Sequence, residues 1–227
     1  MRVLRYALRT QESILMEQSV LLSGLWHYGG ALLALFPIVD PITAGFSFAA
    51  MTQNRDAAWS RRQAFLACVY MILVLLVFQI LGSWILRFFA ITLEAIRVAG
   101  GVMIWYAAIE MLRGSDRLSA DEQSESLVKD DIAFTPMAMP LLSGPGAIAV
   151  TLTLTARSER VMNEIAIILA IVTVALITYG ALRFASALQA HISETSRLAL
   201  TKILGFLLLC VSVQFIMSGV APLFGKL

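Results

Sequence analysis

The sequence predicts an all-α membrane protein: six transmembrane helices arranged as two inverted three-helix repeats, with helices 1 and 4 broken. Three observations carry this. Of the 227 residues, 59% are hydrophobic and only 14% charged, and the mean hydropathy is +0.82. Soluble domains usually hold about 25% charged residues. The apolar residues are gathered into six long runs, and the runs on either side of one polar stretch match each other.

A helix needs about 20 apolar residues to cross a hydrocarbon core roughly 30 Å thick. The qualifying runs are 24–50, 63–86, 91–112, 133–156, 162–182 and 198–222, the purest being Phe65–Ile85, which has no charged residue. Ahead of them, residues 1–23 form a lead segment with Arg2, Arg5 and Arg9 but without the apolar stretch of a cleaved signal. Met16 offers an alternative start. The polar stretch 113–131 is the linker between the first repeat, 24–112, and the second, 132–222, and 223–227 is a short tail. A net charge of +2 with scattered basic residues excludes a nucleic-acid partner. Cys68 and Cys210 lie mid-span and suggest neither a disulfide framework nor a metal site, and no cofactor is expected.

The halves correspond at a shift of about 105 residues. Arg97-Val-Ala-Gly100 in the third run meets Lys202-Ile-Leu-Gly205 in the sixth, and small residues coincide at Gly100 and Gly205, Ala107 and Ser212, Gly114 and Gly219. Recurring every seven positions, they form one narrow stripe per helix, the pattern that lets membrane helices approach closely. The first run carries Pro37-Ile-Val-Asp40-Pro41-Ile42-Thr43 and the fourth carries Pro140-Leu-Leu-Ser143-Gly144-Pro145-Gly146, offset by 104. With three spans per half, the second half enters the membrane in the opposite sense, as in many secondary transporters.

Proline within a helix removes a hydrogen bond and pushes the preceding residue out of helical conformation. Asp40-Pro41 is a good restart, with Asp as N-cap and Pro at the first helical position; Gly144-Pro145 makes the same restart. Each span is then two half-helices meeting near mid-membrane, where backbone N–H groups and a partial positive charge await an anionic group. Asp40, Pro41, Ile42, Thr43, Ser143, Gly144, Pro145 and Gly146 are the candidate substrate-binding residues. Glu110 is expected at the interface beside Arg113, Gln79 and Gln214 line a cavity or bond across helices, and Thr151–Thr155 bonds back to its own backbone.

Leu35-Phe-Pro-Ile-Val-Asp-Pro-Ile-Thr43, Arg97-Val-Ala-Gly-Gly101, Ile132-Ala-Phe-Thr-Pro-Met-Ala-Met-Pro-Leu-Leu-Ser-Gly-Pro-Gly-Ala-Ile148 and Leu204-Gly-Phe-Leu-Leu-Leu-Cys-Val-Ser-Val-Gln-Phe-Ile216 resemble the MarC family of bacterial inner-membrane proteins, over residues 24 to 222. The resemblance implies six membrane helices, a multi-pass inner-membrane location and transport of a small neutral amino acid of glycine or alanine size, or a similar small metabolite. One departure stands out: the family usually has Asn where this chain has Asp40. An ionised Asp40 would repel a substrate carboxylate, and would attract an amine or a cation or carry a coupling proton, so it is the coupling candidate. The expected partners are a small-molecule substrate and the lipid bilayer; coupling to a proton or sodium ion and homo-oligomerisation are left open. The alternative is a membrane redox or assembly factor, which would want cysteines at equivalent positions of the halves; Cys68 and Cys210 are not equivalent. No enzyme is expected, since no Ser–His or paired-carboxylate arrangement occurs among the spans. Loops 51–62, 113–131 and 183–202 hold nine Lys and Arg against eight elsewhere, five if translation begins at Met16, which favours both termini outside.

Overall fold

The computed structural model describes residues 22–114, 129–156, 161–185, 187 and 192–224. Most of the lead segment, most of the 113–131 linker and the last three residues of the tail lie outside the described residues. Every regular element among those described is helical.

The first span is one apolar run split by a single residue. Helix α1 (22–39) ends at Asp40, and α2 (Pro41–Thr52) restarts on Pro41 at its first position. Asp40 sits at φ 50°, ψ 70°, a left-handed conformation that an aspartate tolerates better than most residues. Nine of the twelve residues of α2 are buried. A helix that is apolar all round belongs in an interior, and α2 is that interior element.

Helices α3 (Ala57–Phe88) and α4 (Leu93–Arg113) follow, joined by a short turn at Phe89–Thr92. Thr92 caps α4 by accepting from the Ala95 amide at 3.3 Å, and Gly114 closes it at φ 78°, the left-handed C-cap for which glycine is suited. The next segment, α5 (Ala133–Leu142), is an irregular pair of wide turns that contains Pro136 and Pro140, with the Met137 amide donating to the Ile132 carbonyl at 3.1 Å and the Ser143 amide to the Ala138 carbonyl at 2.8 Å. Thr135 and Met139, each preceding a proline, are extended (φ −124°, ψ 120° and φ −131°, ψ 122°), as proline requires of its neighbour. Helix α6 (Pro145–Ala156) leaves α5 at a bend of 61°. Then come α7 (Val161–Arg183) and α8 (Glu194–Phe224).

Five of these stretches are long and apolar enough to cross a membrane, α1 with α2 counting as one, and the bent pair α5–α6 makes a sixth if taken as one span. Two sets of hydrogen bonds fix where that pair runs. Its start is tied to the beginning of α3: Arg55 Nη2 donates to the Lys129 carbonyl at 2.9 Å, Trp59 Nε1 to the Asp130 carbonyl at 3.1 Å, and the Ile132 amide to buried Gln63 Oε1 at 3.2 Å. Its far end leads into α7, whose Glu164 carbonyl accepts from Gln79 Nε2, near the other end of α3, at 3.0 Å. The pair therefore travels from one end of α3 to the other.

The most extensive helix pairing is α4 with α8; α3 packs on α5, α6 and α7, α2 on α7, and α4 on α6. Large apolar side chains cover the outside, among them Phe65, Ile80, Trp84, Leu176 and Phe206. A water-soluble surface does not carry apolar patches on this scale; hydrocarbon is the solvent that fits them.

Candidate functional site

The two breaks use different chemistry at the same place in their spans. At the first, Asp40 Oδ1 accepts from the Thr43 amide at 3.2 Å and the Asp40 carbonyl from the Ala44 amide at 3.1 Å. That is a self-contained N-cap, and the carboxylate is 3% exposed. At the second, Gly144 holds the cap position: its carbonyl accepts from the Ile148 amide at 3.1 Å, but it has no side chain with which to satisfy the first-turn amides. The Ser143 hydroxyl is turned back toward α5, its Oγ donating to the Ala138 carbonyl at 2.8 Å. Only glycine fits at 144, where a Cβ would stand 2.5 Å from the Pro140 carbonyl oxygen.

The uncapped start of α6 opens onto a cavity of about 240 Å³. Gly144, Pro145, Gly146 and Ala147 form one wall, Pro140 and Leu141 of α5 another, and Ile38 and Leu208 contribute from α1 and α8. The remaining side is α4, which supplies Met103, Ile104, Tyr106, Ala107 and Glu110. Gly146 keeps α4 close, since a Cβ there would meet Ile104 Cγ1 at 2.9 Å. A helix N-terminus with a partial positive charge thus shares one small cavity with a carboxylate and a phenol, inside a mostly apolar lining.

The structure brings together only part of the residue set expected from sequence. Gly144, Pro145 and Gly146 line the cavity; Asp40, Pro41, Ile42, Thr43 and Ser143 do not. Glu110, expected near the end of its helix beside Arg113, is exposed in the last turn of α4 and also lines the cavity. Spacing along one helix tells which residues share a face, not which neighbour folds over that face. Ala107, read from sequence as a packing residue, is also a cavity wall.

Asp40 belongs to a second polar feature. Its Oδ2, Thr43 Oγ1 and Ser47 Oγ are buried and have no hydrogen-bond partner among the described residues. At i, i+3 and i+7 they lie along one face of α2. Elsewhere in the bundle the hydroxyls of Thr52, Thr151, Thr155, Thr173 and Thr178 each donate to the carbonyl four residues back, at 2.8 to 2.9 Å. Thr153 Oγ1, the middle member of the Thr151–Thr155 run, also lacks a partner. The second-half counterparts of 40, 43 and 47 at the 104 shift are Gly144, Ala147 and Thr151, of which the first two have no side-chain oxygen and the third is hydrogen-bonded, so this row of open oxygens is not repeated at the matching positions.

The small residues divide their work. A Cβ on Gly205 would meet Met111 Cβ at 2.9 Å, and one on Gly219 would meet the Glu94 carbonyl at 2.7 Å, both across the α4–α8 seam, with Ser212 fully buried in the same row. On α4 the seam residue is Gly101, against the Ser212 carbonyl at 3.0 Å; Gly100 faces Ala149 of α6, and Gly114 caps its helix. Arg97 joins the seam through a 3.3 Å bond from Nη1 to the Ser218 carbonyl. Gln79 bonds across helices, and Gln214 is exposed.

A family model described as MarC family integral membrane protein matches residues 25–224. The chain is 30% identical over 195 residues to the UPF0056 membrane protein YhcE of Escherichia coli, covering 85% of this chain and 91% of that relative. It is 31% identical over 205 residues to the UPF0056 inner membrane protein MarC of Salmonella typhimurium, covering 85% and 93%, and 31% identical over 192 residues to a UPF0056 membrane protein of the archaeon Methanocaldococcus jannaschii, covering 84% and 94%. No solved structure matches the chain. The chain belongs to the MarC family of integral membrane proteins and is a multi-pass protein of the inner membrane.

Proposed function

We propose that the protein is a secondary transporter of a small neutral amino acid, of glycine or alanine size, or of a similar small metabolite. The observation that carries the reading is the uncapped α6 terminus facing Glu110 across a cavity of about 240 Å³. A zwitterion has two charged ends, and this cavity has a partner for each. Its carboxylate meets the α6 N-terminus at Gly146 and Ala147, the geometry by which broken membrane helices hold anionic groups. Its ammonium meets Glu110. The volume lies below the several hundred Å³ of pockets for drug-sized ligands and so favours a small solute.

Six crossings in two inverted halves suit this role, and the packing supports them in part. Exchanging the halves maps the α2–α7 pairing onto α6–α3, and both pairings occur, whereas the α4–α6 pairing has no α8–α2 counterpart of similar extent. Asp40 remains the coupling candidate, for a proton or a sodium ion, because Asp40, Thr43 and Ser47 present a row of oxygens open to such a partner. In this reading the substrate and the coupling ion occupy the two breaks separately, one each.

Uptake of labelled alanine or glycine into proteoliposomes tests the proposal. Wild type accumulates label; Glu110→Gln keeps the fold and loses about two- to fivefold in apparent affinity, in line with removing one partner of an exposed charge pair. Absence of both uptake and binding across a panel of amino acids overturns the substrate assignment. Unchanged affinity in Glu110→Gln overturns the pose.

A further inference from the structure

A second cavity, of about 340 Å³, lies at the end of the bundle where α2 finishes, α3 begins and α7 finishes. Three arginines line it: Arg55, Arg61 and Arg183, together with the polar side chains of Thr52, Gln53 and Ser60. No carboxylate is among its described lining residues; Asp56, next to Arg55 in the chain, is outside the lining. This end of the bundle carries Arg55, Arg61, Arg62 and Arg183, and the count of nine Lys and Arg in the 51–62, 113–131 and 183–202 segments against eight elsewhere slightly favours the cytoplasmic side for it.

What lies next to the basic pocket decides its ligand. Arg61 is on α3 and Arg183 on α7. One helical turn further into the bundle on each helix stand Phe65 and Tyr179, whose rings meet edge to face with centroids 6.2 Å apart. Phe65 is 56% exposed. The same α3–α7 seam therefore presents two guanidinium groups at the membrane surface and, one turn deeper, an aromatic pair open to hydrocarbon. Arg61 is oriented by its own helix, Nε donating to the Ala57 carbonyl at 3.2 Å, and a guanidinium has five donors in a planar fork that suits a phosphate. A free anion in solution has use for the arginines only. A phospholipid has use for both parts, its phosphate at the fork and its acyl chain along the rings below.

We propose that this cavity is a binding site for the headgroup of an anionic phospholipid, held by Arg61 and Arg183, with Arg55, anchored to the Lys129 carbonyl, adding positive charge to the lining and an acyl chain lying over Phe65 and Tyr179. Basic pockets between membrane helices on the cytoplasmic side are suited to such headgroups. The site is independent of the transport cavity, which involves α4, α5 and the start of α6.

The test is thermal unfolding of the purified full chain in neutral detergent, titrated with phosphatidylglycerol, phosphatidylcholine or inorganic phosphate, because a ligand that binds only the folded state raises Tm. Phosphatidylglycerol is expected to raise Tm saturably and phosphatidylcholine to leave it unchanged. The pair Arg61→Gln with Arg183→Gln weakens the effect by about tenfold or more in lipid concentration, while Arg61→Lys with Arg183→Lys retains most of it. Arg87→Gln, at the other end of α3, leaves it intact. The proposal is overturned if inorganic phosphate matches phosphatidylglycerol, which would make the ligand a soluble anion. It is equally overturned if Arg87→Gln lowers the response as much as the paired variants, or if the Gln pair responds like wild type.

Discussion

Asp40 and Gly144 occupy the same place in the two breaks and behave in opposite ways. Asp40 supplies its own cap, accepts a left-handed backbone and leaves Oδ2 open; Gly144 supplies no cap and leaves α6's first turn to the cavity. Asparagine caps and tolerates left-handed conformation as well as aspartate does, so Asp40→Asn should hold its stability within about 0.5 kcal/mol. Asp40→Ala loses the cap and puts a methyl side chain at φ 50°, and should cost about 1–3 kcal/mol. Chemical or thermal unfolding in detergent checks both. In uptake assays Asp40→Asn should transport with its dependence on a proton or sodium gradient reduced. The breaks were legible in the sequence because proline and its capping residue act within four positions of each other. Glu110's place in the cavity wall was not, because it depends on α6 packing against α4, and spacing along one helix does not say which neighbour lies over it.

At the scale of elements, the seam between α4 and α8 rests on missing side chains. The seven-residue stripe Gly205, Ser212, Gly219 was readable because small residues at one helical face have few other uses in a membrane span. Its partner row was readable only in part: α4 is shared between α8, through Gly101, and α6, through Gly100. Gly219→Ala would drive a methyl group against the Glu94 carbonyl, which is backbone and cannot swing aside. It should cost about 1–3 kcal/mol, as overpacking does. Gly180→Ala on α7, where a Cβ meets nothing within 4 Å, should leave Tm unchanged or slightly higher. Comparing the two melting curves separates a packing glycine from an incidental one. The irregular course of α5 escaped the sequence reading, which placed only one break in 133–156; Pro136 and Pro140, four residues apart, hold the preceding Thr135 and Met139 extended, so helical winding is interrupted before the Gly144-Pro145 break is reached.

At the scale of the whole molecule, six long apolar runs fixed the number of candidate crossings without any tertiary information, because hydrocarbon thickness sets helix length. What composition could not supply is how one half takes hold of the other. Arg55, just ahead of α3, and Trp59 and Gln63 in its first two turns hold the backbone of Lys129, Asp130 and Ile132. None of the three looks exceptional in the sequence, since their partners are backbone atoms about 70 positions away. That attachment bears on biosynthesis. The pair α5–α6, bent by 61° and carrying three prolines, is the weakest candidate for insertion on its own. By the time Ile132 leaves the ribosome, α3 is already synthesised, and Gln63 stands ready to receive the first amide of the segment. Gln63→Ala should therefore leave the earlier spans inserted and raise the fraction of chains whose α5–α6 fails to cross, read by a glycosylation acceptor placed after α6 in an in vitro insertion assay. With that outcome, the first half would act as a frame on which the second half docks, and the order of synthesis would help this topology form.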